Sequence, residues 1–381
     1  MVQSPQQEAP AYVRKPAFYD RWMESQGIPI YRDYYIEDGR TLELGFWEER
    51  GHPAAFLQLA GQEGVSESRI TEIPPGGSVK PYKFALEEVV YVLQGRGVTT
   101  VWADGGERRS FEWQEHALFR IPGNHWVEYA SMAGDAPVRL LHYNNLPVSM
   151  STVQDPSFFF NSAHSTAADA MVGGGGGDGF YAEAKVAERD PRLTGRVRNY
   201  WYGNFFPDMR AWDKLVPFRG RGAGGTTVFV QFPGSELTAH MSVFPSKTYK
   251  KGHRHGPAFV IVIPFGEGYS VMWPEGKDKV TVPWHEGSIF VPPNRWFHQH
   301  FNLSGDPARY LAFHPLPQFT GTGELIADVN RDQIEYPSED PAVRAHFEEE
   351  LAKRGMKSDM PEIAYQDPKW EWDYEGIALD P

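Results

Sequence analysis

An internal repeat of about 170 residues constrains the fold of this 381-residue chain more than any other feature. Three pairs of segments recur in the same order: FLQLAG (56–61) with FVQFPG (229–234), WQEHALF (113–119) with WHEGSIF (284–290), and VRLLHYNNLP (138–147) with ARYLAFHPLP (308–317). The second member of each pair lies 173, 171 and 170 residues after the first. One match could arise by chance, but a collinear series at a nearly constant offset indicates a duplication. The chain is therefore predicted to fold as two similar units.

Both copies have the pattern of short strands joined by turns. Aromatic and β-branched runs flank a glycine-containing turn in Val89–Ala103 and again in Phe259–Trp273, which is typical of β-hairpins. The chain contains 38 glycines and 31 prolines, which favour many turns over long helices. We therefore predict an all-β fold of two tandem jelly-roll barrels, with short helices at the termini.

The repeat and the composition between its copies divide the chain into four predicted regions. They are an N-terminal barrel over 1–150, a glycine-rich linker over 151–198, a C-terminal barrel over 199–318 and a C-terminal extension over 319–381. The linker contains five consecutive glycines at 173–177, which favour a flexible loop. In the extension, Asp340 and the proline that follows it are typical of a helix start, and a helix is predicted over 341–354.

The absence of cysteine removes several kinds of site. Without thiols the chain cannot form disulfides, thiolate zinc sites or iron–sulfur clusters, so a metal must be bound by histidine, carboxylate or carbonyl oxygen. The formal net charge of −13 argues against nucleic-acid binding, which normally requires a basic surface. No apolar run approaches the ~20 residues of a membrane helix, and no targeting segment is recognisable. A cytoplasmic protein that does not bind membranes is expected.

Four of the thirteen histidines form two HxH pairs, His253 with His255 and His298 with His300. Residues i and i+2 of a strand lie on the same face, so each pair directs two imidazoles the same way. Two such strands in one barrel can surround a cation, and imidazole is a ligand for iron, nickel, copper and zinc. The pairs predict a metal site in the second copy.

The residues around the second pair resemble a motif of the cupin superfamily, and the duplication makes the chain similar to a bicupin. The cupin motif G-x5-P-x-G-x2-H-x3-N is matched by Gly287, Pro293, His298 and Asn302. Arg295 replaces its second glycine. The resemblance implies the cupin barrel, also called a double-stranded β-helix, in both halves.

The other cupin motif is only partly present. His253 and His255 match its HxH, but hydrophobic residues at 259–261 stand where the family has a glutamate. Carried over residue by residue, the resemblance implies His253, His255 and His298 as metal ligands. His300 is either a fourth ligand or a residue that contacts the substrate.

Among cupins, this three-histidine pattern resembles that of mononuclear Fe(II) dioxygenases that cleave gentisate-like rings or diketones. The resemblance implies one divalent metal, Fe(II) first, with Mn, Ni, Cu or Zn left open. It also implies a small hydroxylated aromatic acid or enolic substrate, O2 as co-substrate, and a homo-oligomer. His300 and His314 are candidates for proton transfer, since histidine titrates near neutrality. Arg295 is a candidate for holding a substrate carboxylate.

The first copy lacks the histidine pairs. The repeat aligns His253 with Pro81 and His298 with residue 127 or 128, while Glu88 keeps the position of the cupin glutamate. We interpret Glu88 as a structural relic, with a second metal site built from Glu88, His125 and Glu128 as the alternative.

Two other classes of function remain open at this stage. One is an O2-independent metal-dependent lyase, isomerase or decarboxylase, although many such cupins use the glutamate that is missing here. The other is a non-enzymatic bicupin that binds small molecules. Because one barrel can support many reactions, the reaction has to be inferred from the site itself.

Overall fold

The computed structural model describes residues 16–164, 179–182, 184–188, 199–211, 216–217, 221–319 and 329–374. The five consecutive glycines lie outside these residues. Strands predominate throughout the described part of the chain, and the helices in it have at most 13 residues.

The first half contributes twelve strands. They are β1 (Ile30–Tyr31), β2 (Tyr35–Ile36), β3 (Gly45–Trp47), β4 (His52–Leu57), β5 (Glu67–Ile73), β6 (Tyr82–Phe84), β7 (Glu88–Gln94), β8 (Arg96–Trp102), β9 (Arg109–Gln114), β10 (Leu118–Ile121), β11 (His125–Ser131) and β12 (Val138–Asn144). Eight of these strands form the two sheets of a barrel, in the orders β5-β12-β7-β10 and β6-β11-β8-β9.

The second half repeats this arrangement. Its strands are β13 (Lys185–Glu188), β14 (Asn199–Tyr202), β15 (Phe205–Phe206), β16 (Val216–Pro217), β17 (Thr226–Gln231), β18 (Thr238–Phe244), β19 (Gly252–His253), β20 (Val260–Phe265), β21 (Gly268–Trp273), β22 (Val280–Trp284), β23 (Ile289–Phe290), β24 (Phe297–Asn302), β25 (Ala308–His314) and β26 (Gln333–Ile334). The sheets of its barrel have the orders β18-β25-β20-β23 and β19-β24-β21-β22.

The two barrels have the same strand order. If the eight strands of each barrel are counted along the chain, one sheet has the order 1-8-3-6 and the other 2-7-4-5. This is the jelly-roll arrangement, which cupins share with other proteins. The predicted all-β fold of two tandem jelly-roll barrels is confirmed, and its general architecture is that of a bicupin.

Burial explains why the strands differ in sequence. In β7 (EVVYVLQ) the first six residues are all buried, because one face lines the barrel and the other packs against the second half. In β8 (RGVTTVW) buried and partly exposed residues alternate, because its outer face meets solvent. The two sheets of a barrel therefore differ in burial. The sheet with the order 1-8-3-6 is buried on both faces and joins the halves, and the outer face of the other sheet meets solvent.

The halves share a hydrophobic core. One cluster of buried residues combines Tyr91, Leu141 and Tyr143 of the first half with Leu311 and Phe313 of the second. The rings of Tyr143 and Phe313 lie 5.4 Å apart. This core fixes the position of one barrel against the other.

Each half also completes a sheet of the other. Strand β2, from the first half, pairs antiparallel with β23 through Tyr35–Phe290 and Ile36–Ile289. Strand β15, from the second half, pairs with β10 through Leu118–Phe206 and Phe119–Phe205. The exchange is reciprocal, and the divisions predicted at 150, 198 and 318 remain predictions.

Five helices lie in the described part of the chain, at its ends and between the barrels. They are α1 (Phe18–Ser25), α2 (Leu146–Thr152), α3 (Pro156–Phe159), α4 (Val329–Asp332) and α5 (Pro341–Lys353), with 3-10 turns at Ala60–Gln62, Tyr336–Ser338 and Glu362–Tyr365. The carboxylate of Asp340 accepts the N–H of Ala342 and caps α5, which begins where the sequence predicts and ends one residue earlier. Its apolar side packs on the second barrel, beside Tyr249 and Phe301. None of these helices has the length and apolarity that crossing a membrane requires.

Candidate metal centre

Two neighbouring strands of the second barrel bring the histidine pairs together. His253 of β19 is directly paired with His298 of β24, and His300 follows two residues later on the same strand. The ligand atoms of His253, His298 and His300 all lie within 4.8 Å of one another, and all three residues are buried. The alternation of β24 directs His298 and His300 to the same side, as the HxH spacing predicts, and strand pairing adds His253. Strand β19 ends at His253, so His255 lies outside it.

His255 lies beside this group rather than within it. Its ring centroid is 4.6 Å from that of His298 and 6.1 Å from that of His253. It also contacts the ring of Phe259 at 4.2 Å. The group of close ligand atoms is therefore His253, His298 and His300, whereas the cupin resemblance implies His255 as a ligand and leaves His300 open. The ligand set stays a prediction.

Backbone carbonyls fix the tautomers of three of these rings. Nδ1 of His253 lies 2.9 Å from the Lys251 carbonyl, Nδ1 of His255 lies 2.9 Å from that of Gly256, and Nδ1 of His298 lies 3.1 Å from that of Trp296. A carbonyl oxygen can only accept, so each Nδ1 carries the proton and donates. The Nε2 atom of each ring therefore has a free lone pair, which is the arrangement found in metal-binding histidines.

A hydroxyl group orients His300 instead. Its Nδ1 lies 2.7 Å from Oγ of Ser270, which also accepts the indole N–H of Trp284 at 3.0 Å. The serine hydroxyl can donate to Nδ1 or accept from it, so both tautomers of His300 are compatible with this contact. This chemical difference between His300 and the other three rings is consistent with either predicted role.

Burial keeps the cluster neutral. Desolvation lowers the pKa of His253, His298 and His300 well below the usual range for histidine. Desolvation also lowers the pKa of His255 to about 4. Neutral imidazoles are the form that binds a metal, and at pH 7 no proton has to be removed first.

The position of the cupin glutamate is occupied by Phe259. In the first barrel Val89 pairs with Tyr143, and in the second Val260 pairs with Phe313. The residue before each valine is then Glu88 in one barrel and Phe259 in the other. The close group of potential ligands in the second barrel consists of histidines alone.

A cavity of about 750 Å³ opens onto the histidines. Its lining includes all four of them and the aromatic rings of Phe229, Phe259 and Tyr310. A volume in this range suits a small organic molecule. Trp296 is not among the described lining residues and contacts Tyr34 at 5.7 Å between ring centroids.

A second pair of histidines lines the same cavity. Nδ1 of His240 lies 2.6 Å from Nε2 of His314, and Nδ1 of His314 lies 3.0 Å from Oγ1 of Thr238. Burial lowers the pKa of His314 to about 3, so the pair is neutral at pH 7. His314 therefore belongs to a hydrogen-bonded chain with His240 and Thr238, and its role in proton transfer stays a prediction.

The structure does not bring Arg295 to the substrate cavity. Its guanidinium is paired with Asp332, with Nη2 2.5 Å from Oδ1, and Arg254 binds the same carboxylate at 3.0 Å. Arg295 is absent from the described lining of the cavity. Asp332 also contacts Arg331, so three arginines share this carboxylate, and the role of Arg295 in holding a substrate carboxylate stays a prediction.

Sequence reasoning missed Lys250, which lies behind the cavity wall. Its side chain is fully buried, and Nζ donates to the hydroxyls of Ser242 at 2.5 Å and Tyr310 at 3.0 Å. Nζ also lies 4.6 Å from the centre of the Tyr310 ring. No sequence motif marks this lysine, and only its place three residues before His253 could have drawn attention to it.

The first barrel has other residues at the positions of the histidines. Tyr82 pairs with Val127 as His253 pairs with His298, and Tyr129 faces Thr99 as His300 faces Ser270. Tyr82, Val127 and Tyr129 therefore replace the three clustered histidines. The sequence alignment of His253 with Pro81 was wrong by one residue, since the repeat offset has already fallen to 171 at the end of β5.

Glu88 has a structural role in this barrel. Arg69 forms ion pairs with both Glu67 and Glu88, and all three side chains are buried. The alternative metal site is not assembled among the described residues, because Glu128 lies on the opposite face of β11 from His125. The interpretation of Glu88 as a structural residue agrees with these contacts.

Comparison with known proteins gives similarity of fold only. No family model matches the chain, and no curated protein matches it. Similar solved structures include a mutant of Bacillus subtilis oxalate decarboxylase OxdC, 10% identical with a TM-score of 0.44, covering 82% of this chain and 86% of that one. They also include a salicylate 1,2-dioxygenase from Pseudaminobacter salicylatoxidans, 13% identical with a TM-score of 0.48 (66% and 70% covered), and hazelnut (Corylus avellana) vicilin, 14% identical with a TM-score of 0.45 (86% and 98% covered). Function must therefore be inferred from the site.

Proposed function

We propose that this protein is a mononuclear Fe(II) dioxygenase that acts on a small hydroxylated aromatic acid or a related enolic anion. The observation that carries the proposal is the neutral histidine cluster at an aromatic-lined cavity of about 750 Å³. Structural neighbours with such low identity and TM-score add nothing to it.

The donor set fits one divalent ion of the transition series. His253, His255 and His298 would hold it. His300 would be either a fourth ligand or a residue that contacts the substrate. When bound, the ion would supply a Lewis acid with open coordination positions for substrate and O2, and Fe(II) would add redox chemistry. Mn, Ni, Cu and Zn suit the same imidazole donors.

The charges around the cavity favour an anionic substrate. The clustered histidines are neutral, so they would leave the positive charge of a bound divalent ion uncompensated. Lys250 lies buried behind Tyr310, and Arg221 lines the cavity directly. These cations attract a carboxylate or phenolate, and the one carboxylate in the described lining, that of Glu236, is exposed to solvent. The rings of Phe229 and Phe259 offer flat surfaces for an aromatic or enolic group.

His240 and His314 would handle the proton of the substrate. Nδ1 of His240 and Nε2 of His314 face each other at 2.6 Å. When both rings are neutral, one of these nitrogens carries the proton and the other accepts it. Through Thr238, the chain can pass a proton along by exchanging tautomers, with neither ring remaining charged. Such a chain can take up a phenolic or enolic proton as the substrate binds.

Metal analysis and O2 uptake test the proposal. The purified protein, loaded anaerobically with Fe(II), should hold one ion per chain that depends on His253 and His298, and it should consume O2 with one or more members of a panel of hydroxybenzoates, dihydroxybenzoates and β-diketones. His253→Ala and His298→Ala should lose this ion and O2 uptake. The matched control is His346→Ala, which removes an exposed histidine of α5. Retention of full metal content by His298→Ala would refute the ligand assignment.

The hydrogen-bonded histidine pair supports one alternative function. A cavity with a built-in proton relay also suits an O2-independent lyase, isomerase or decarboxylase. Turnover of the same panel under strict anaerobiosis, with metal content intact, would favour this class over the dioxygenase. A protein that binds its panel ligand but holds no metal would instead be a non-enzymatic binding protein.

A further inference from the structure

A second cluster of potential ligands lies where the two barrels meet. The turn from β9 to β10 carries Glu115 and His116, and the turn from β22 to β23 carries Glu286. Glu115 and Glu286 occupy the same position of the internal repeat, in WQEHALF and WHEGSIF. The ligand atoms of Glu115, His116 and Glu286 all lie within 4.8 Å of one another. The duplication has thus brought two equivalent carboxylates face to face.

His116 is buried and directed at these carboxylates. It is 2% exposed, and its Nδ1 lies 2.7 Å from the hydroxyl of Tyr91. Its Nε2 is buried and has no hydrogen-bond partner among the described residues. That atom lies 3.8 Å from Oε1 of Glu115 and 3.6 Å from Oε1 of Glu286, too far for hydrogen bonds. A buried nitrogen without a partner costs free energy, so this gap requires an explanation.

The backbone makes the presence of a histidine here more unusual. His116 has a φ of +68°, in the left-handed region, and the equivalent residue of the second copy is Gly287 with a φ of +91°. Glycine adopts such angles without strain, whereas a histidine has a cost. The first copy therefore has a histidine side chain at a backbone position that favours glycine.

The electrostatic surroundings favour a cation. Burial and the charge of Glu286 raise the pKa of Glu115, which indicates that the two carboxylates repel each other. Arg40 donates to Glu286 at 3.1 Å but is also bound by Asp38, and the Asp208–Arg210 pair lies on the other side. Each neighbouring arginine already has a carboxylate of its own, so negative charge remains at the cluster.

We propose that Glu115, His116 and Glu286 bind a divalent transition-metal ion that links the two barrels. One imidazole and two carboxylates form a mixed N,O donor set suited to Zn²⁺, Mn²⁺ or Fe²⁺. Both carboxylates are partly exposed, with 41% and 31% of their side chains accessible, so an ion can enter from solvent. The site uses none of the cavity histidines and does not depend on the proposed dioxygenase function.

Tyr91 has a defined part in this site. A metal on Nε2 requires the proton on Nδ1, so the ring must donate to the Tyr91 oxygen. Tyr91 then acts as the outer partner that orients a ligating histidine, a role whose loss typically weakens metal binding by about 10–100-fold. Glu286 can keep its contact with Arg40, because a carboxylate oxygen has more than one lone pair.

The test uses Zn²⁺ on the full-length protein with the cavity site removed by His253→Ala and His298→Ala. This parent should bind one Zn²⁺ in equilibrium dialysis, and its melting temperature should rise with Zn²⁺. Adding Glu115→Gln and Glu286→Gln should weaken binding by about 100-fold or more and abolish the rise, while stability without Zn²⁺ is kept or improved as repulsion disappears. Tyr91→Phe should weaken binding by about 10-fold.

Two further variants separate metal binding from folding. His116→Gly copies the residue of the second copy and suits the backbone angle, so it should fold normally and lose the Zn²⁺ response. Glu112→Gln removes an exposed carboxylate of β9, three residues before Glu115, and should change nothing. Absence of Zn²⁺ binding by the parent, or undiminished binding by the double glutamine variant, would overturn the proposal.

Discussion

Replacing Arg69 with methionine should destabilise the first barrel severely. The guanidinium of Arg69 forms ion pairs with two carboxylates, those of Glu67 at 2.5 Å and of Glu88. Glu67 is 2% exposed and Glu88 is 1% exposed. Methionine keeps much of the volume but leaves two like charges buried together. Breaking a buried ion pair from one side typically costs about 3–5 kcal/mol, which for barrels of this size lowers the melting temperature by about 10 °C.

The pH dependence distinguishes this cause from lost packing. With Arg69 present, its charge holds the pKa of Glu88 well below the usual range, against the effect of burial. Without it, one carboxyl should take up a proton in the folded state, so the folded form binds more protons than the unfolded chain. The deficit of Arg69→Met should therefore shrink as the pH falls from 7 to 5.

Guanidinium titrations followed by tryptophan fluorescence measure the effect. Adding Glu67→Gln and Glu88→Gln to Arg69→Met should recover at least about 2 kcal/mol, since the buried charges are gone. Metal content of the second barrel should not change in either variant. A loss below about 1 kcal/mol for Arg69→Met, or no recovery in the triple variant, would refute the reasoning.

Three other outcomes are expected. Lys250→Met should keep the fold and the metal but raise the KM for an anionic substrate at least about 10-fold in substrate titrations, since one buried cation is lost; an unchanged KM would contradict its role. Burial lowers the pKa of His52 to about 4 and that of His314 to about 3, whereas in the unfolded chain each titrates near 6.5. The free energy of unfolding is therefore complete above pH 6.5 and should fall by about 2 kcal/mol for each of them by pH 5, and a flat chemical-denaturation profile would argue against neutral rings. Gly268→Ala should unfold the second barrel or empty its metal site, because a Cβ there would lie 1.9 Å from the carbonyl of Phe301, and circular dichroism with metal analysis would detect either outcome.

Local patterns in the sequence predict much of the fold and of the site. The collinear repeat predicts two equal barrels because a duplicated sequence has the same strands to pair. The spacing of His253 and His298 within HxH pairs predicts convergence because side chains alternate along a strand. The helix at Pro341 follows from its cap and its four-residue apolar stripe, both of which depend only on neighbouring residues.

Long-range contacts account for what the sequence does not predict. Arg295 is predicted to hold a substrate carboxylate, and its contact with Asp332, 37 residues away, has no local signal in the sequence. Lys250 has no motif, and its importance comes from the buried hydroxyls of Ser242 and Tyr310. Glu88 is predicted to be a structural residue, but its partner Arg69 could not be identified from the sequence, since partners across a barrel leave no periodic signal.

The reciprocal exchange of strands has a consequence for the biosynthesis of this chain. Strand β2 is synthesised early, yet its partner residue Phe290 follows Tyr35 by 255 positions. At about 5–20 residues per second, the ribosome needs on the order of 10–50 s to supply that partner. Throughout this interval, and until Phe205–Phe206 emerge to cover β10, the nascent first half presents strand edges able to pair with other chains. Lower growth temperatures and chaperones that hold nascent chains should therefore raise the soluble yield. They should raise it more than substitutions that stabilise the folded protein.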